Sequence, residues 1–133
     1  METAAKIVIV GGVLNPAYSF VTGFLLANAR RVSPRASKYL VFAHVGPLMQ
    51  GPMLLSLVFA ATLSPQPALV KTLAASLMVA ESGFLAAKDT LNWVQGVKDE
   101  FVERPPGVVL GGISILLGVV GLLIFIVGVF LGL

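Results

Sequence analysis

The sequence predicts an all-α integral membrane four-helix bundle, and three observations support this class. Hydrophobic residues make up 57% of the 133 residues and charged residues only 11%, whereas soluble domains carry roughly 25% charged residues. Six acidic and nine basic side chains are too few to cover the surface of a soluble globule of this size. The apolar residues also form four runs long enough to cross a bilayer. Residues 1–133 are therefore predicted to form a single transmembrane domain.

Charged residues and prolines bound the predicted spans. The four spans cover about residues 7–27, 39–63, 68–87 and 107–133. Arg30 and Arg31 follow the first span, and Pro65 and Pro67 follow the second. Proline has no N–H to continue a helix. The third span is predicted to continue as an amphipathic extension through Trp93.

The basic residues predict the orientation in the membrane. With four spans both termini lie on one side, and the connections 28–38 and 88–106 lie on the other. These two connections carry most of the basic residues, whereas the opposite side carries only Lys6 and Lys71. Positive-inside bias then predicts cytoplasmic connections and outside termini, as in a protein of the bacterial inner membrane, although so few charges leave the opposite orientation open. Three aromatic residues are expected as interfacial anchors on the cytoplasmic side: Tyr39, Trp93 and Phe101.

The net charge of +3 does not predict a nucleic-acid partner. The basic residues are scattered between apolar runs of membrane length, a pattern typical of orientation in a bilayer. The lipid bilayer is the predicted partner, and nucleic acid is not. Because the chain has no cysteine, disulfides, thiolate metal sites and cysteine nucleophiles are excluded.

Small residues occupy one face of the fourth span, within about 100° on a helical wheel. They are Gly107, Gly111, Ser114, Gly118, Gly121, Gly128 and Gly132. Close approach through small residues is a main source of helix association in lipid. The fourth helix is therefore predicted to pack against a partner helix along its length. We expect that partner within the same chain, with an oligomer interface as the alternative.

Polar residues occupy one face of the first span, where Asn15, Tyr18, Ser19 and Thr22 lie within about 100° of each other. Polar groups in hydrocarbon need hydrogen-bond partners. This face is therefore predicted to point inward. The pattern fits either a hydrogen-bonded bundle core or a small polar cavity.

Two ionisable residues lie at membrane depth, His44 in the second span and Glu81 in the third. Such residues are costly in lipid and indicate functional sites. The only histidine of the chain could bind a metal or haem iron, move a proton, or link helices. One histidine and a distant carboxylate do not form a zinc or di-iron motif, but a single axial haem ligand requires only the histidine. Pro47 and Pro52 are expected to bend the second helix near Gln50.

The segment from Ala43 to Gly51, which reads AHVGPLMQG, resembles the second-helix signature of the styrene oxide isomerases, a family of small four-helix membrane enzymes. It is also similar to the corresponding segment of the related hydroxylaminobenzene mutases. Three shorter similarities accompany it, at residues 12–14 (GVL), 21–25 (VTGFL) and 80–84 (ESGF after an alanine). The resemblance covers three of the four predicted helices, and the segment around the histidine is its distinctive part.

This resemblance implies a haem-dependent isomerase or mutase that rearranges a small apolar aromatic substrate, an aryl epoxide or an arylhydroxylamine. By the resemblance, His44 is the axial ligand of haem b, whose ferric iron acts as a Lewis acid, and the protein is a homo-oligomer, by analogy a trimer. Two other classes stay open. One is a haem-binding protein without isomerase activity, and the other is a cofactor-free packing or transport subunit in which His44 and Glu81 only link helices.

The resemblance also assigns catalytic candidates. The asparagine that follows the histidine in the family corresponds to Gln50, which keeps an amide on a longer arm. The catalytic tyrosine of the family corresponds to Leu85, and its aspartate lies near Leu77. Because these two polar groups are missing here, Glu81 or Tyr18 would have to supply the polar function.

Overall fold

The computed structural model describes residues 2–133, which are 86% helical and contain no strand. The helices are α1 (Thr3–Val32), α2 (Lys38–Leu63), α3 (Ala68–Val94), α4 (Glu100–Glu103) and α5 (Pro106–Gly132). All of them except the short α4 are long and apolar enough to cross a membrane. The predicted all-α four-helix bundle is thus confirmed, and the chain is an integral membrane protein.

The helices run further than the predicted apolar spans. α1 includes residues 28–32, beyond the predicted span. α3 ends at Val94, which confirms the predicted extension through Trp93. The two connections are therefore shorter than 28–38 and 88–106, and α4 lies within the second. Charged residues can continue an α-helix, so a helix can extend beyond the point where its hydropathy falls. Arg30 and Arg31 lie in the last turn of α1, where cations favourably meet the negative end of the helix dipole.

Contacts near the termini show which connections share an end of the bundle. The ammonium of Lys71, at the start of α3, lies 2.7 Å from the carboxylate of Glu2, just before α1. Near the end of α5, an added Cβ at Gly128 would lie 2.9 Å from Cβ of Ser64. Glu2, the end of α5 and the turn at residues 64–67 therefore lie together, at what we call the terminal end. This is the arrangement that four spans predict.

A hydrogen-bonded network closes the opposite end, the basic end, which holds residues 33–37 and 95–105. Glu100 is its centre, accepting from Lys88 Nζ at 3.1 Å and from Asn92 Nδ2 at 2.8 Å. Its own N–H donates to the Tyr39 hydroxyl at 2.9 Å. Tyr39 is buried, so its predicted role as an interfacial anchor is wrong, because its hydroxyl is used inside the protein.

The short α4 is held by side chains that accept backbone hydrogen bonds. Asp99 caps it by accepting from the N–H of Phe101 at 2.9 Å and of Val102 at 3.3 Å. The Glu103 carboxylate accepts from the N–H groups of Asp99 and Lys98, and these bonds lower the pKa of the Glu103 carboxyl. That carboxylate is therefore ionised at neutral pH. The Phe101 side chain is 81% exposed, as an interfacial anchor requires.

The small-residue stripe of α5 packs on α3. An added Cβ at Gly111 would lie 2.9 Å from Cδ of Lys88, and one at Gly118 would lie 2.8 Å from Cγ of Glu81. The expectation of a partner within the same chain is confirmed. The apolar core lies toward the terminal end and comprises Ala4, Val8, Leu54, Leu57, Ala61, Ala74, Ala75, Met78 and Phe125. Polar residues are thus concentrated between this core and the basic end.

α2 stays helical through its prolines, and α1 satisfies a carbonyl that one of them frees. Pro47 has no N–H, so the carbonyl of Ala43 loses its donor four residues on. Thr22 Oγ1 lies 3.0 Å from that oxygen. Thr22 Oγ1 is also 3.1 Å from the carbonyl oxygens of Tyr18 and Ser19. Those two carbonyls lie within α1 and accept hydrogen bonds from backbone N–H groups of the same helix. The single hydroxyl hydrogen of Thr22 is therefore assigned to Ala43.

Substituting Thr22 with valine is expected to destabilise the bundle by about 1–3 kcal/mol, because the carbonyl of buried Ala43, which has no donor at Pro47, loses the Thr22 hydroxyl. Unfolding in detergent, followed by circular dichroism, measures the loss. Thr62→Val is the matched control, since the exposed Thr62 hydroxyl bonds only the Phe59 carbonyl of its own helix. Equal losses in the two variants would contradict the assigned bond.

Candidate functional site

The four predicted site residues lie in three separate polar groups of the bundle. His44 is at the interface of α1 and α2, bonded to α1. Gln50 and Glu81 meet where α2, α3 and α5 come together. Tyr18 points from α1 toward α3. The fold therefore brings two of the four residues into contact and separates the other two.

Ser19 of α1 fixes the orientation and the tautomer of His44. The ring Nδ1 lies 2.8 Å from the backbone oxygen of Ser19 and 3.0 Å from its Oγ. The same Oγ lies 2.8 Å from the backbone oxygen of His44, and its single hydrogen is best used there. Nδ1 then carries the ring proton and donates it to the Ser19 carbonyl. The lone pair is left on Nε2, the arrangement typical of a histidine that binds a metal.

The imidazole lies against a glycine of α1. An added Cβ at Gly23 would be 2.8 Å from Cε1 and 2.9 Å from Nδ1 of His44, so only a glycine allows this position. Phe20 and Phe24, which follow Ser19 and Gly23 in sequence, are 75% and 68% exposed. A histidine that keeps its Nε2 lone pair fits an axial haem ligand, because a porphyrin needs one nitrogen donor from the protein.

Glu81 is the centre of a buried polar group at membrane depth. Gln50 Nε2 donates to its Oε1 at 3.2 Å, and Ser114 Oγ lies 3.1 Å from its backbone oxygen and 3.4 Å from Oε1. Glu81 Oε2 and Gln50 Oε1 are buried and have no donor among residues 2–133. Unpaired buried acceptors are costly. This group is therefore suited to hold a proton or a donor group of a ligand.

Lys88 does not take part in the Glu81 group. Its ammonium lies 3.1 Å from Glu100 and 3.4 Å from Asp89. This agrees with the two helical turns that separate Lys88 from Glu81 along α3. No cationic partner of Glu81 is present within the part of the chain that the structure describes.

Tyr18 lies on a cleft of about 670 Å³ between α1 and α3. Its hydroxyl bonds the Thr90 hydroxyl, and one turn earlier Asn15 Nδ2 donates to Ser82 Oγ at 3.0 Å. The polar face of α1 thus contributes both to a hydrogen-bonded core and to a cavity, the two alternatives that the sequence left open. Its buried members lie in a hydrogen-bonded core, and its α3 side lines a cavity.

The polar face of α1 was predictable from the sequence, but its hydrogen-bond partners were not. Ser19 was part of that face, yet only the packing of α1 on α2 pairs it with His44. Ser82 and Thr90 were not singled out, although their spacing of eight residues places them about 80° apart on α3. A search for hydroxyl residues recurring at that spacing would have indicated them.

Comparison with known proteins gives no match to the chain, whether among family models, curated proteins or solved structures.

Proposed function

We propose that the protein is a membrane-embedded, haem-dependent isomerase or mutase that rearranges a small apolar aromatic substrate, an aryl epoxide or an arylhydroxylamine. His44 carries this proposal, since Ser19 fixes its proton on Nδ1 and leaves Nε2 as the donor atom. Residues 2–133 contain no group of three side chains suited to hold a bare metal ion. A porphyrin supplies four nitrogen ligands of its own, so one imidazole is sufficient for haem b.

Bound haem b would supply a ferric Lewis acid that polarises a substrate oxygen. The side chains of the bundle would supply the proton chemistry. Gln50 Nε2 fixes Oε1 of Glu81, which leaves Oε2 able to hold or release a proton. Burial inside the bundle keeps water away from this carboxyl and strengthens its electrostatic effect. Tyr18 stays a catalytic candidate, with a hydroxyl positioned by Thr90.

The proposal includes the assembly and its location. Between 22% and 33% of the most apolar window of each span is buried inside the chain, so large apolar faces contact lipid or further copies. We propose a homo-oligomer, a trimer by the same resemblance, that covers the partly exposed face of His44. We place it in a bacterial inner membrane, with the basic end in the cytoplasm and the termini outside.

The test is a pyridine haemochrome assay on detergent-purified protein expressed with ample haem. We expect haem b in roughly equimolar amount to the chain, as single axial ligation requires. Turnover of an aryl epoxide or arylhydroxylamine should then proceed without an electron donor, because a rearrangement has no net redox change. A colourless protein would overturn the proposal.

A second candidate is a cofactor-free packing or transport subunit. The observation that favours it is that both intramembrane ionisable residues bond across helices, His44 to Ser19 and Glu81 to Gln50. Such bonds alone can stabilise a membrane bundle. The haemochrome assay separates the two candidates, and haem without turnover would instead indicate a haem-binding protein that is not an isomerase.

A further inference from the structure

We propose that the cleft between α1 and α3 binds a small apolar molecule that carries a hydrogen-bond donor, such as a phenol, an arylamine or an alcohol. The inference concerns a site between α1 and α3, whereas His44 contacts α1 from α2, and it does not depend on haem. The cleft lining comprises Leu14, Asn15, Tyr18, Ser82, Gly83, Ala86, Ala87, Thr90, Leu91, Val94 and Leu110.

The size and composition of the cleft fit a small ligand. Its volume of about 670 Å³ lies within the range of roughly 300–1,000 Å³ that is usual for ligand pockets. Most of the lining is aliphatic, and four polar side chains interrupt it. Leu14 and Val94 are largely exposed, so an apolar molecule can enter from the bilayer.

The hydroxyl hydrogens on one part of the wall are already used. Thr90 Oγ1 donates to the carbonyl of Ala86 at 2.7 Å. Either hydroxyl can donate in the contact between Tyr18 and Thr90. Only donation by Tyr18 uses both hydroxyl hydrogens inside the protein, so the phenolic hydrogen is assigned to this contact. Tyr18 Oη therefore presents only lone pairs to the cleft.

The side-chain hydrogens one turn away along α1 are also used inside the protein. Asn15 Nδ2 donates one hydrogen to the carbonyl of Gly11 at 2.9 Å and the other to Ser82 Oγ at 3.0 Å. Ser82 in turn donates its hydrogen to the carbonyl of Val79 at 2.9 Å. The Gly11 carbonyl fixes the amide orientation, because an oxygen could not face it. Asn15 Oδ1 receives no hydrogen bond from residues 2–133 and is left as an acceptor.

Every side-chain donor on this wall is thus used inside the protein, and only acceptors remain. A molecule with an O–H or N–H gains a hydrogen bond that the hydrocarbon of the bilayer cannot offer. An ether, a ketone or an acyl chain brings no donor and gains only apolar contact. Hydrogen-bond donation should therefore determine which apolar molecules the cleft retains.

A matched pair of probes tests this preference. 4-Propylphenol and 4-propylanisole are titrated calorimetrically into the full-length protein in lipid nanodiscs, with empty nanodiscs subtracting partition into lipid. We expect the phenol to bind about tenfold more tightly or better, the effect of one satisfied hydrogen bond. Equal affinities would overturn the proposal, since they would indicate the nonselective occupancy expected of an acyl chain.

Glycine variants locate the binding. Gly83 lines the cleft, and an added Cβ there meets nothing within 4 Å, so Gly83→Leu should fill the cleft without disturbing the fold. Gly112 has equally open surroundings but does not line the cleft, and Gly112→Leu is the control. Phenol binding should be lost only in the first variant. If both variants bind, or if Gly83→Leu instead changes the oligomeric state, the proposal is wrong.

Two further variants distinguish binding in this cleft from binding elsewhere in the protein. Thr90→Val removes the acceptor of the Tyr18 hydroxyl, which then offers a donor to the cleft, so the preference for the phenol should shrink. His44→Ala should leave phenol binding unchanged. Loss of phenol binding in His44→Ala would place the probe on the proposed haem, and would overturn the cleft site without affecting the proposed function.

Discussion

On the proposed haem binding, replacing His44 with alanine is expected to abolish the haem absorption of the purified protein while leaving the bundle folded. His44 is the only histidine in the chain, so no other imidazole can replace it as ligand. The hydrogen bond from Ser19 Oγ goes to the backbone oxygen of residue 44 and survives the substitution. The Soret band and haemochrome yield measure the loss, and circular dichroism with size-exclusion chromatography checks the fold.

Two glycine variants show whether the position of the imidazole matters. Gly23→Ala places a Cβ less than 3 Å from the ring of His44, and the ring should move at small cost in stability because it is the far end of a side chain. We expect less haem or a shifted Soret band. Gly46→Ala, whose added Cβ meets nothing within 4 Å, should resemble the wild type. Haem retained in full by His44→Ala would exclude His44 as the ligand.

The fold could be predicted from sequence because lipid imposes a simple requirement. A crossing helix needs about 20 apolar residues, and the prolines and basic pairs between such runs locate the turns. The network at the basic end was not predictable in this way. Tyr39 and Glu100 are separated by 61 residues in sequence, and nothing in local hydropathy pairs them. The position of Tyr39 at the end of an apolar run therefore predicted an interfacial anchor, whereas the residue is buried.

The candidate site was predicted only in part, for a geometric reason. On a regular helix His44 and Gln50 point about 120° apart, so one shared site required a strong bend. In the structure the two side chains instead have different neighbours, Ser19 for His44 and Glu81 for Gln50. Sequence indicates which residues are costly in lipid. It does not indicate which helix each one faces, since that depends on how the four helices pack.

Replacing Gly51 with valine is expected to have the largest effect on stability, a loss of about 3 kcal/mol or more from overpacking of rigid atoms. An added Cβ at Gly51 would lie 2.5 Å from Cγ and 2.6 Å from Cδ of Pro16, and 3.0 Å from the carbonyl oxygen of Gly12. A proline ring and a helix backbone cannot rotate away, so α1 and α2 must separate. Unfolding in detergent, followed by the fluorescence of Trp93, measures the change.

Gly46→Val is the matched control for this prediction, because it makes the same substitution in the same helix where an added Cβ meets nothing within 4 Å. It should change stability only slightly, whereas equal losses would show that crowding against α1 is not the cause. The contact at Gly51 also lies on the interface that presents Ser19 to His44. Separation of α1 and α2 should therefore reduce haem binding as well as stability in Gly51→Val. Destabilisation with undiminished haem would mean that Ser19 does not position the imidazole for the iron.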